Sequence, residues 1–239
     1  MSVIIAPSIL AGDFARMGEE ARRCEAAGAD WLHLDVMDGH FVDNLTFGAQ
    51  AIAALRPYTS LFFDVHLMLG RPWRWLEKYR EAGADGITVH AEACKEAPKL
   101  LEDLRRIREM GAKSALSLKP DTLSQEAFPF LEELDMVLVM TVEPGYGGQP
   151  FRRDMLGKIR ALRREINRRG LNVRIEVDGG INEKTIARSC AAGADTFVSG
   201  SAVFGAEDMA AAIASLRRAA QKQAAIDPSG IQVHVARPE

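Results

Sequence analysis

Short apolar runs alternate with longer amphipathic segments along most of the chain. The short runs are almost continuously apolar, which is typical of strands buried on both faces of a parallel sheet. The predicted strands cover residues 3–8, 31–36, 61–67, 86–90, 113–118, 136–140, 174–178 and 196–199. The longer segments predict helices that pack on such a sheet. These predicted helices cover residues 14–27, 49–55, 72–82, 95–110, 124–133, 152–169, 183–191 and 207–223.

A repeated tetrapeptide supports this alternation. Ala-Gly-Ala-Asp begins at residues 27, 82 and 192, each time at a predicted helix end just before a strand. The first two copies are 55 residues apart and the last two are 110 residues apart, which is twice that interval. Glycine suits this place because the residue after a helix often turns left-handed. Two strand–helix units in each interval of 55 residues agree with eight such units in the whole chain.

Eight units of this kind predict an α/β fold, a single (β/α)8 TIM barrel with eight parallel strands. We expect the barrel domain to cover residues 1–226 and an irregular tail to cover residues 227–239. An open, doubly wound sheet is the alternative. It would usually carry a glycine-rich phosphate turn after the first strand, where this chain has Ser8-Ile9-Leu10.

Composition and charge narrow the class of protein. The chain has 239 residues, of which 47% are hydrophobic and 26% are charged. Its net charge is −3, and a negative net charge does not favour binding to nucleic acid or to an anionic membrane. Its 3 cysteines are far apart, without metal or redox spacing. The first residues lack the pattern of a signal peptide, and no apolar run approaches the roughly 18 residues that a membrane span needs. We therefore expect a cytoplasmic protein with neither nucleic acid nor membrane as a partner.

Histidine and aspartate side chains gather at the ends of three predicted strands. His33 and Asp35 lie two residues apart on one strand and so point to the same face. His66 and Asp178 lie near the ends of two other strands, and the carboxyl ends of barrel strands share one rim. Nitrogen and oxygen ligands in this mixture suit zinc, iron, manganese or cobalt better than calcium. The four residues predict a divalent metal site, and His90 would be a neighbour that only shapes the pocket.

Glycine-rich turns follow the last three predicted strands, at residues 144–148, 178–180 and 199–201. Exposed backbone N–H groups at such turns and at helix starts bind phosphate, and barrels of this kind keep their phosphate site at the late strands. One glycine turn is a weak signal, because turns need glycine in any case. Three on adjacent strands predict a phosphorylated substrate that extends from this rim to the metal ion.

Several motifs together resemble the ribulose-phosphate 3-epimerase family, from about residue 3 to residue 205. They are Pro7-Ser8-Ile9-Leu10, Leu34-Asp35-Val36-Met37-Asp38-Gly39-His40-Phe41, Asp64-Val65-His66-Leu67-Met68, Glu143-Pro144-Gly145-Tyr146-Gly147-Gly148-Gln149 and Glu176-Val177-Asp178-Gly179-Gly180-Ile181. The resemblance implies an isomerase that interconverts ribulose 5-phosphate and xylulose 5-phosphate. It also implies one divalent metal ion per subunit, a homo-oligomer, and a place in carbohydrate metabolism, in the pentose phosphate pathway or in carbon fixation.

The resemblance also implies a role for individual residues. Asp35 and Asp178 would be the two acid–base residues, and both would hold the metal ion together with His33 and His66. The substrate would contact Ser8, His66, Gly145, Tyr146, Gly147, Gly148, Asp178, Gly179, Gly180, Gly200 and Ser201. The family keeps sulfur side chains around the reacting carbons, at the positions of Met37, Met68 and Met140. The chain departs from the family pattern at Asp43, where proline is usual, and at Tyr146, where phenylalanine is usual; neither touches the metal set.

The expected chemistry explains why two carboxylates and a metal ion are needed. Inverting a carbon beside a ketone requires that its proton leave from one face and return on the other, so one carboxylate serves as base and the second as acid. The enediolate between these steps carries negative charge on oxygen, which a metal ion stabilises.

Other functions stay open at this point. Allulose-phosphate 3-epimerase uses the same chemistry on a six-carbon sugar, although residues 179–181 and 200–204 favour the pentose enzyme. A lyase or decarboxylase with an Asp-x-Lys-x-x-Asp strand end is excluded, because no lysine here has aspartate two residues before it. A Schiff-base aldolase could use Lys119, at the end of the fifth predicted strand. A non-catalytic sugar-phosphate-binding protein would not need the metal set.

Overall fold

Parallel strands form a barrel at the centre of the computed structural model, which describes residues 2–94 and 96–226. The strands are β1 (Ile4–Pro7), β2 (Trp31–Met37), β3 (Phe62–Met68), β4 (Gly86–His90), β5 (Lys113–Leu118), β6 (Met136–Met140), β7 (Arg174–Asp178) and β8 (Thr196–Ser199). They form one 8-stranded parallel sheet in the order β1-β8-β7-β6-β5-β4-β3-β2. A parallel bridge between Ser8 and His33 brings its two edges together. The predicted TIM barrel is confirmed, and the open sheet is wrong.

Helices connect the strands on the outside of the barrel. They are α1 (Met17–Ala26), α2 (Ala49–Leu55), α3 (Leu76–Glu81), α4 (Ala97–Glu109), α5 (Met155–Arg169), α6 (Glu183–Ala192), α7 (Ser201–Phe204) and α8 (Met209–Ile226). The short α7 was not predicted. No helix in the described part of the chain is long and apolar enough to cross a membrane. The predicted tail at 227–239 lies outside the described residues.

The segment between β5 and β6 differs from its prediction. Ser124–Glu133 is a 3₁₀ helix and not an α-helix. Pro129 lies inside it, and proline has no N–H to donate to an α-helical hydrogen bond. In addition, the predicted helix at 72–82 divides into a 3₁₀ turn, Pro72–Arg74, followed by α3.

Alternation along each strand gives the barrel two different buried layers. Leu34 and Val65 belong to the large apolar cluster that the helices cover, and both are fully buried. His33, Asp35 and Asp64, at the neighbouring positions, face the other way, into the barrel. The strands therefore hold the fold together with one face and present polar groups to the interior with the other.

The Ala-Gly-Ala-Asp repeat lies at the opposite end of the barrel from the predicted site. Its glycines have φ of 83°, 105° and 112° at Gly28, Gly83 and Gly193, the left-handed conformation expected after a helix. The aspartates of the first two copies accept backbone hydrogen bonds from neighbouring strands: the N–H of Ile5 lies 2.7 Å from Asp30 Oδ2, and that of Phe63 lies 2.8 Å from Asp85 Oδ2. The repeat is therefore a structural element of the barrel.

The aspartate of the third copy supports a prediction about stability. Asp195 is fully buried, and its Oδ2 accepts a hydrogen bond of 2.8 Å from Nη2 of Arg163, which is itself buried. Asp195→Ala would leave the Arg163 guanidinium without its counter-charge, and we expect the free energy of unfolding to fall by about 3–5 kcal/mol. Urea denaturation measures the change. Glu96→Ala, which removes the exposed pair with Lys99, should cost at most about 1 kcal/mol; equal small losses in both variants would contradict the prediction.

Candidate metal centre and active site

Three strands bring the four predicted metal ligands together at the carboxyl end of the barrel. One ligand atom from each of His33, Asp35, His66 and Asp178 lies within 4.8 Å of every other. Asp35 Oδ1 is 3.3 Å from His33 Nε2 and 3.3 Å from His66 Nδ1. Asp178 Oδ2, from β7, is 4.0 Å from His66 Nδ1. The parallel register of β2 and β3 causes part of this convergence, because it sets Asp35 directly beside His66.

The residues of this cluster fit a bound cation. His33 Nε2 is buried and has no hydrogen-bond partner among the described residues. Its other nitrogen, Nδ1, lies 2.6 Å from Asp64 Oδ2, so Nδ1 donates to the carboxylate and Nε2 offers a lone pair to the centre whenever the ring is neutral. Metal-binding histidines commonly have their second nitrogen held in this way. The cluster can therefore hold a metal ion.

The charge balance of the cluster also attracts a cation. Burial opposes the charged form of His33, but the carboxylates of Asp35 and Asp64 outweigh burial and raise the pKa of His33 well above its usual value. The carboxylates of this cluster therefore favour a positive charge at its centre, which a proton or a divalent ion can supply.

The two aspartates of the cluster differ in their tendency to bind a proton. Burial and the nearby charge of Asp35 raise the pKa of Asp178 to about 6. Burial would also raise the pKa of Asp35, but His33 and His66 outweigh it and hold that pKa well below its usual range. The Ser8 hydroxyl donates a hydrogen bond of 2.5 Å to Asp35 Oδ2, which orients the carboxylate. Carboxyl groups whose environments drive their pKa values apart are typical of acid–base pairs.

A cavity of about 560 Å³ opens above the cluster. Asp35 and Asp178 lie at its lining, whereas the side chains of His33 and His66 are fully buried. The remaining predicted substrate-contact residues line it as well: Ser8, Gly145, Tyr146, Gly147, Gly148, Gly179, Gly180, Gly200 and Ser201. The lining also includes Met37, Met68 and Met140, all of which are almost fully buried. The lining of the cavity therefore combines carboxylate and sulfur side chains with glycine-rich turns.

The glycines of this lining are not equivalent. Gly179 and Gly180 have φ of 121° and 64°, and an added Cβ would lie 2.6 Å from Val142 Cγ2 or from the backbone nitrogen of Phe151, respectively. These two glycines are required by the packing of the turn itself. Gly147, in contrast, has open space where a side chain would stand. The fold therefore leaves room for a side chain at this position.

Two loops meet across the mouth of the cavity. Asn44 Nδ2 donates a hydrogen bond of 2.7 Å to the carbonyl of Gly145. The Tyr146 hydroxyl donates to the carbonyl of Asp43, so the two positions at which the resemblance implies a departure from the family pattern lie in one contact. The sequence analysis missed this contact because the two residues are 103 positions apart.

Sequence reasoning also missed the polar layer below the cluster. Glu176 is fully buried, and neither of its carboxylate oxygens has a hydrogen-bond partner among the described residues, although Oε1 lies 3.9 Å from His33 Nδ1. Burial and the charge of Asp64 raise the pKa of Glu176 well above its usual value. Asp64 and Glu176 precede His66 and Asp178 by two residues each, so the alternation of the strands could have shown that they share the interior face.

Eight parallel strands with acidic and histidine side chains at their carboxyl ends define the class of TIM-barrel enzymes. The fold is similar to that of 3-keto-L-gulonate-6-phosphate decarboxylase from Vibrio cholerae, with a TM-score of 0.66 and 18% identity over 92% of this chain and 98% of that one. At this identity the likeness shows the fold alone.

Sequence comparison shows the family. The model of the ribulose-phosphate 3-epimerase family matches residues 4–204. The ribulose-phosphate 3-epimerase of Mycobacterium tuberculosis is 49% identical over 217 residues, which are 91% of this chain and 93% of that protein. The cytoplasmic isoform of ribulose-phosphate 3-epimerase from Oryza sativa is 44% identical over 91% of this chain and 94% of that protein. The chain belongs to the ribulose-phosphate 3-epimerase family and is an isomerase.

Proposed function

We propose that the chain interconverts D-ribulose 5-phosphate and D-xylulose 5-phosphate by proton transfer at C3. The observation that carries this proposal is the pair of aspartates, Asp35 and Asp178, which belong to a cluster with two histidines and line a cavity that also has glycine-rich turns in its lining. His33, Asp35, His66 and Asp178 would hold one divalent ion, which is zinc, iron, manganese or cobalt. When bound, that ion supplies positive charge beside the enediolate oxygen.

The two aspartates come from strands on different sides of the barrel mouth, which suits transfer on opposite faces of C3. His33 and His66 hold the pKa of Asp35 well below its usual range, so Asp35 would be the carboxylate that starts without a proton, and the Ser8 hydroxyl orients it. Asp178 has a pKa of about 6, raised by burial and by Asp35, and can therefore hold a proton and return it near neutral pH. The reverse reaction exchanges the two roles.

The methionines would protect the reacting end of the substrate. Met37, Met68 and Met140 are almost fully buried beside the aspartates, and their side chains offer no strong hydrogen-bond donor. Such a lining limits water at C3 and leaves the two carboxyl groups as the proton donors within reach. Backbone N–H groups at the glycine-rich turns would bind the phosphate.

Two sugars distinguish the proposal from its nearest alternative. Purified protein should epimerise ribulose 5-phosphate faster than allulose 6-phosphate, and metal analysis should find about one divalent ion per chain. Faster turnover of the six-carbon sugar would assign the chain to allulose 6-phosphate instead. If the metal-bound protein turns over neither sugar, the chain would be a non-catalytic sugar-phosphate-binding protein.

The Schiff-base alternative has little support from the position of its lysine. Lys119 Nζ lies 3.9 Å from the centroid of the Phe41 ring, a cation–π arrangement that engages the amino group with this ring. Borohydride treatment in the presence of substrate should therefore trap no covalent adduct.

The cellular setting of the enzyme is also proposed. One close relative carries the name of a cytoplasmic isoform, and we propose a cytoplasmic homo-oligomer that acts in pentose phosphate metabolism. Light scattering on the purified chain tests the oligomeric state.

Gly147→Val tests the phosphate end of the cavity. Because the free protein has room for the new side chain, the fold should persist while the substrate is obstructed. We expect KM to rise about tenfold or more, equivalent to at least about 1.4 kcal/mol of binding free energy, with a smaller loss of kcat because remote binding also positions the reacting carbon. Steady-state kinetics and isothermal titration with substrate measure the two effects.

A matched control is available on α5. Gly157 is exposed and also has open space where a side chain would stand, so Gly157→Val adds the same group far from the cavity. Its kinetics should equal those of the unmodified chain. Unchanged substrate affinity in Gly147→Val would show that this glycine only forms the turn.

A further inference from the structure

A chain of hydrogen bonds leads from the proposed metal site to the carboxylate of Glu92, which lies in the turn directly after β4. His66 Nε2 lies 2.8 Å from His90 Nε2, and His90 Nδ1 lies 3.1 Å from Glu92 Oε2. The two ring centroids are 4.9 Å apart and their planes differ by 26°. The nitrogens are closer to each other than the centroids are, so the two rings meet edge to edge, as a hydrogen bond between ring nitrogens requires. Both histidines are fully buried.

Glu92 begins this chain because its carboxylate is surrounded by donors. Its Oε1 accepts a hydrogen bond of 2.8 Å from the backbone N–H of Lys119 and another from the hydroxyl of Thr122. Its Oε2 faces His90. The N–H of Lys119 can only donate, so the carboxylate is held in place as an acceptor.

The position of each proton follows from this anchor. A neutral imidazole has one N–H and one lone pair, and the carboxylate of Glu92 requires the N–H of His90 to be on Nδ1. His90 Nε2 is then an acceptor, so the N–H of His66 must be on Nε2. The lone pair of His66 is therefore on Nδ1, the atom that lies 3.3 Å from Asp35 Oδ1 and 4.0 Å from Asp178 Oδ2.

We propose that Glu92, acting through His90, is a positioning residue that fixes the tautomer of His66 and so makes Nδ1 the metal-binding atom. The inference rests on the proposed metal site, because it explains how one of its ligands is prepared. The tautomer of His33 is fixed directly, by the contact of its Nδ1 with the carboxylate of Asp64. A carboxylate thus fixes each histidine of the cluster, one directly and one through a second imidazole.

This arrangement also explains why His90 is not itself a ligand. Its Nε2 is occupied by His66 and its Nδ1 by Glu92, so neither nitrogen is available to a metal ion. Phe41 covers the ring, with centroids 4.6 Å apart, and keeps water from competing for these hydrogen bonds. His90, predicted as a neighbour that only shapes the pocket, lies between Glu92 and His66 in the structure.

The tautomer can be measured without metal and without activity. In ¹⁵N-labelled full-length chain treated with chelator, long-range ¹H–¹⁵N spectra should show His66 with Nε2 protonated and Nδ1 unprotonated. In Glu92→Leu we expect a mixture of His66 tautomers, because His90 is free to place its proton on either nitrogen. In Glu92→Gln the amide oxygen can still accept from His90, so this variant should resemble the unmodified chain more closely.

Metal affinity gives a second measurement. Competition with a zinc chelator should show a dissociation constant raised by about 10–100-fold in Glu92→Leu, the range typical of lost outer-shell partners, with a smaller increase in Glu92→Gln. Saturating zinc should restore most of the turnover, which damage to the fold would not allow. Glu96→Leu makes the same change at an exposed position and should alter neither quantity.

Each outcome is decisive for one claim. An unchanged His66 tautomer in Glu92→Leu overturns the proposal, whatever happens to activity. Should that variant not fold, His90→Phe keeps a ring of similar size but removes the acceptor, and it must show the same mixture of tautomers for the proposal to stand. If the unmodified chain binds no divalent ion, the proposed function fails. The spectra still test whether Glu92, acting through His90, fixes the tautomer of His66.

Discussion

Epimerisation is expected to fall by about 10²–10⁴-fold or more in Asp35→Asn and in Asp178→Asn, because each variant lacks the carboxyl group for one face of C3. The remaining aspartate can still remove a proton and return it on its own face. In heavy water, each variant should therefore exchange the C3 hydrogen of one epimer only, and the two variants should prefer opposite epimers. Nuclear magnetic resonance of the recovered sugar phosphates measures this exchange.

The unmodified chain provides the reference for this experiment. Each turnover in heavy water should place solvent deuterium at C3 of the product, because the acid–base groups exchange with solvent. Asp121→Asn, at a side chain that is 88% exposed, makes the same chemical change away from the cavity and should be neutral. Metal content must be equal in all variants, since both aspartates are also proposed ligands. A metal-loaded variant that epimerises at close to the normal rate would falsify the two-aspartate scheme.

His66→Ala should remove the bound metal ion and the activity together. The variant loses a nitrogen that lies near both carboxylates of the cluster, so its loss of metal affinity should exceed the roughly 10–100-fold typical of outer-shell changes. The barrel should persist, because His66 faces the interior and not the apolar layer under the helices. Metal analysis after dialysis, circular dichroism and turnover measure the three quantities.

His40→Ala is the matched control for this second experiment. His40 is exposed, lies in the loop after β2 and does not belong to the cluster, so its replacement should leave metal content unchanged. Full metal content and near-normal turnover in His66→Ala would show that His66 is not a ligand.

Much of the fold could be predicted because its signals are local. The apolar runs match the strands to within a residue or two at each end, since a strand buried on both faces must be apolar almost throughout. The segment at 124–133 was predicted as an α-helix but is a 3₁₀ helix. Pro129 changes which backbone hydrogen bonds can form there, and the apolar pattern does not show this change. The four-residue α7 is too short for a periodic signal.

The clustering of the four predicted ligands could be anticipated for a related reason. Residue alternation places His33 and Asp35 on one face, and the barrel rule places the ends of β2, β3 and β7 at one rim. Neither step needs the coordinates of any side chain. The same reasoning put the glycine turns at this rim, where they line the cavity.

The sequence by itself thus determined the barrel, the rim and the residue types that meet there, because strand period and chain direction are properties of the backbone. Only the tertiary structure decided which atoms face each other. The contacts of Asp64 with His33, of Glu92 with His90, and of Tyr146 with the carbonyl of Asp43 depend on how the closed barrel orients side chains from separate strands and loops. Such contacts have no periodic signature, because each depends on side-chain rotamers and on the register in which neighbouring strands pair.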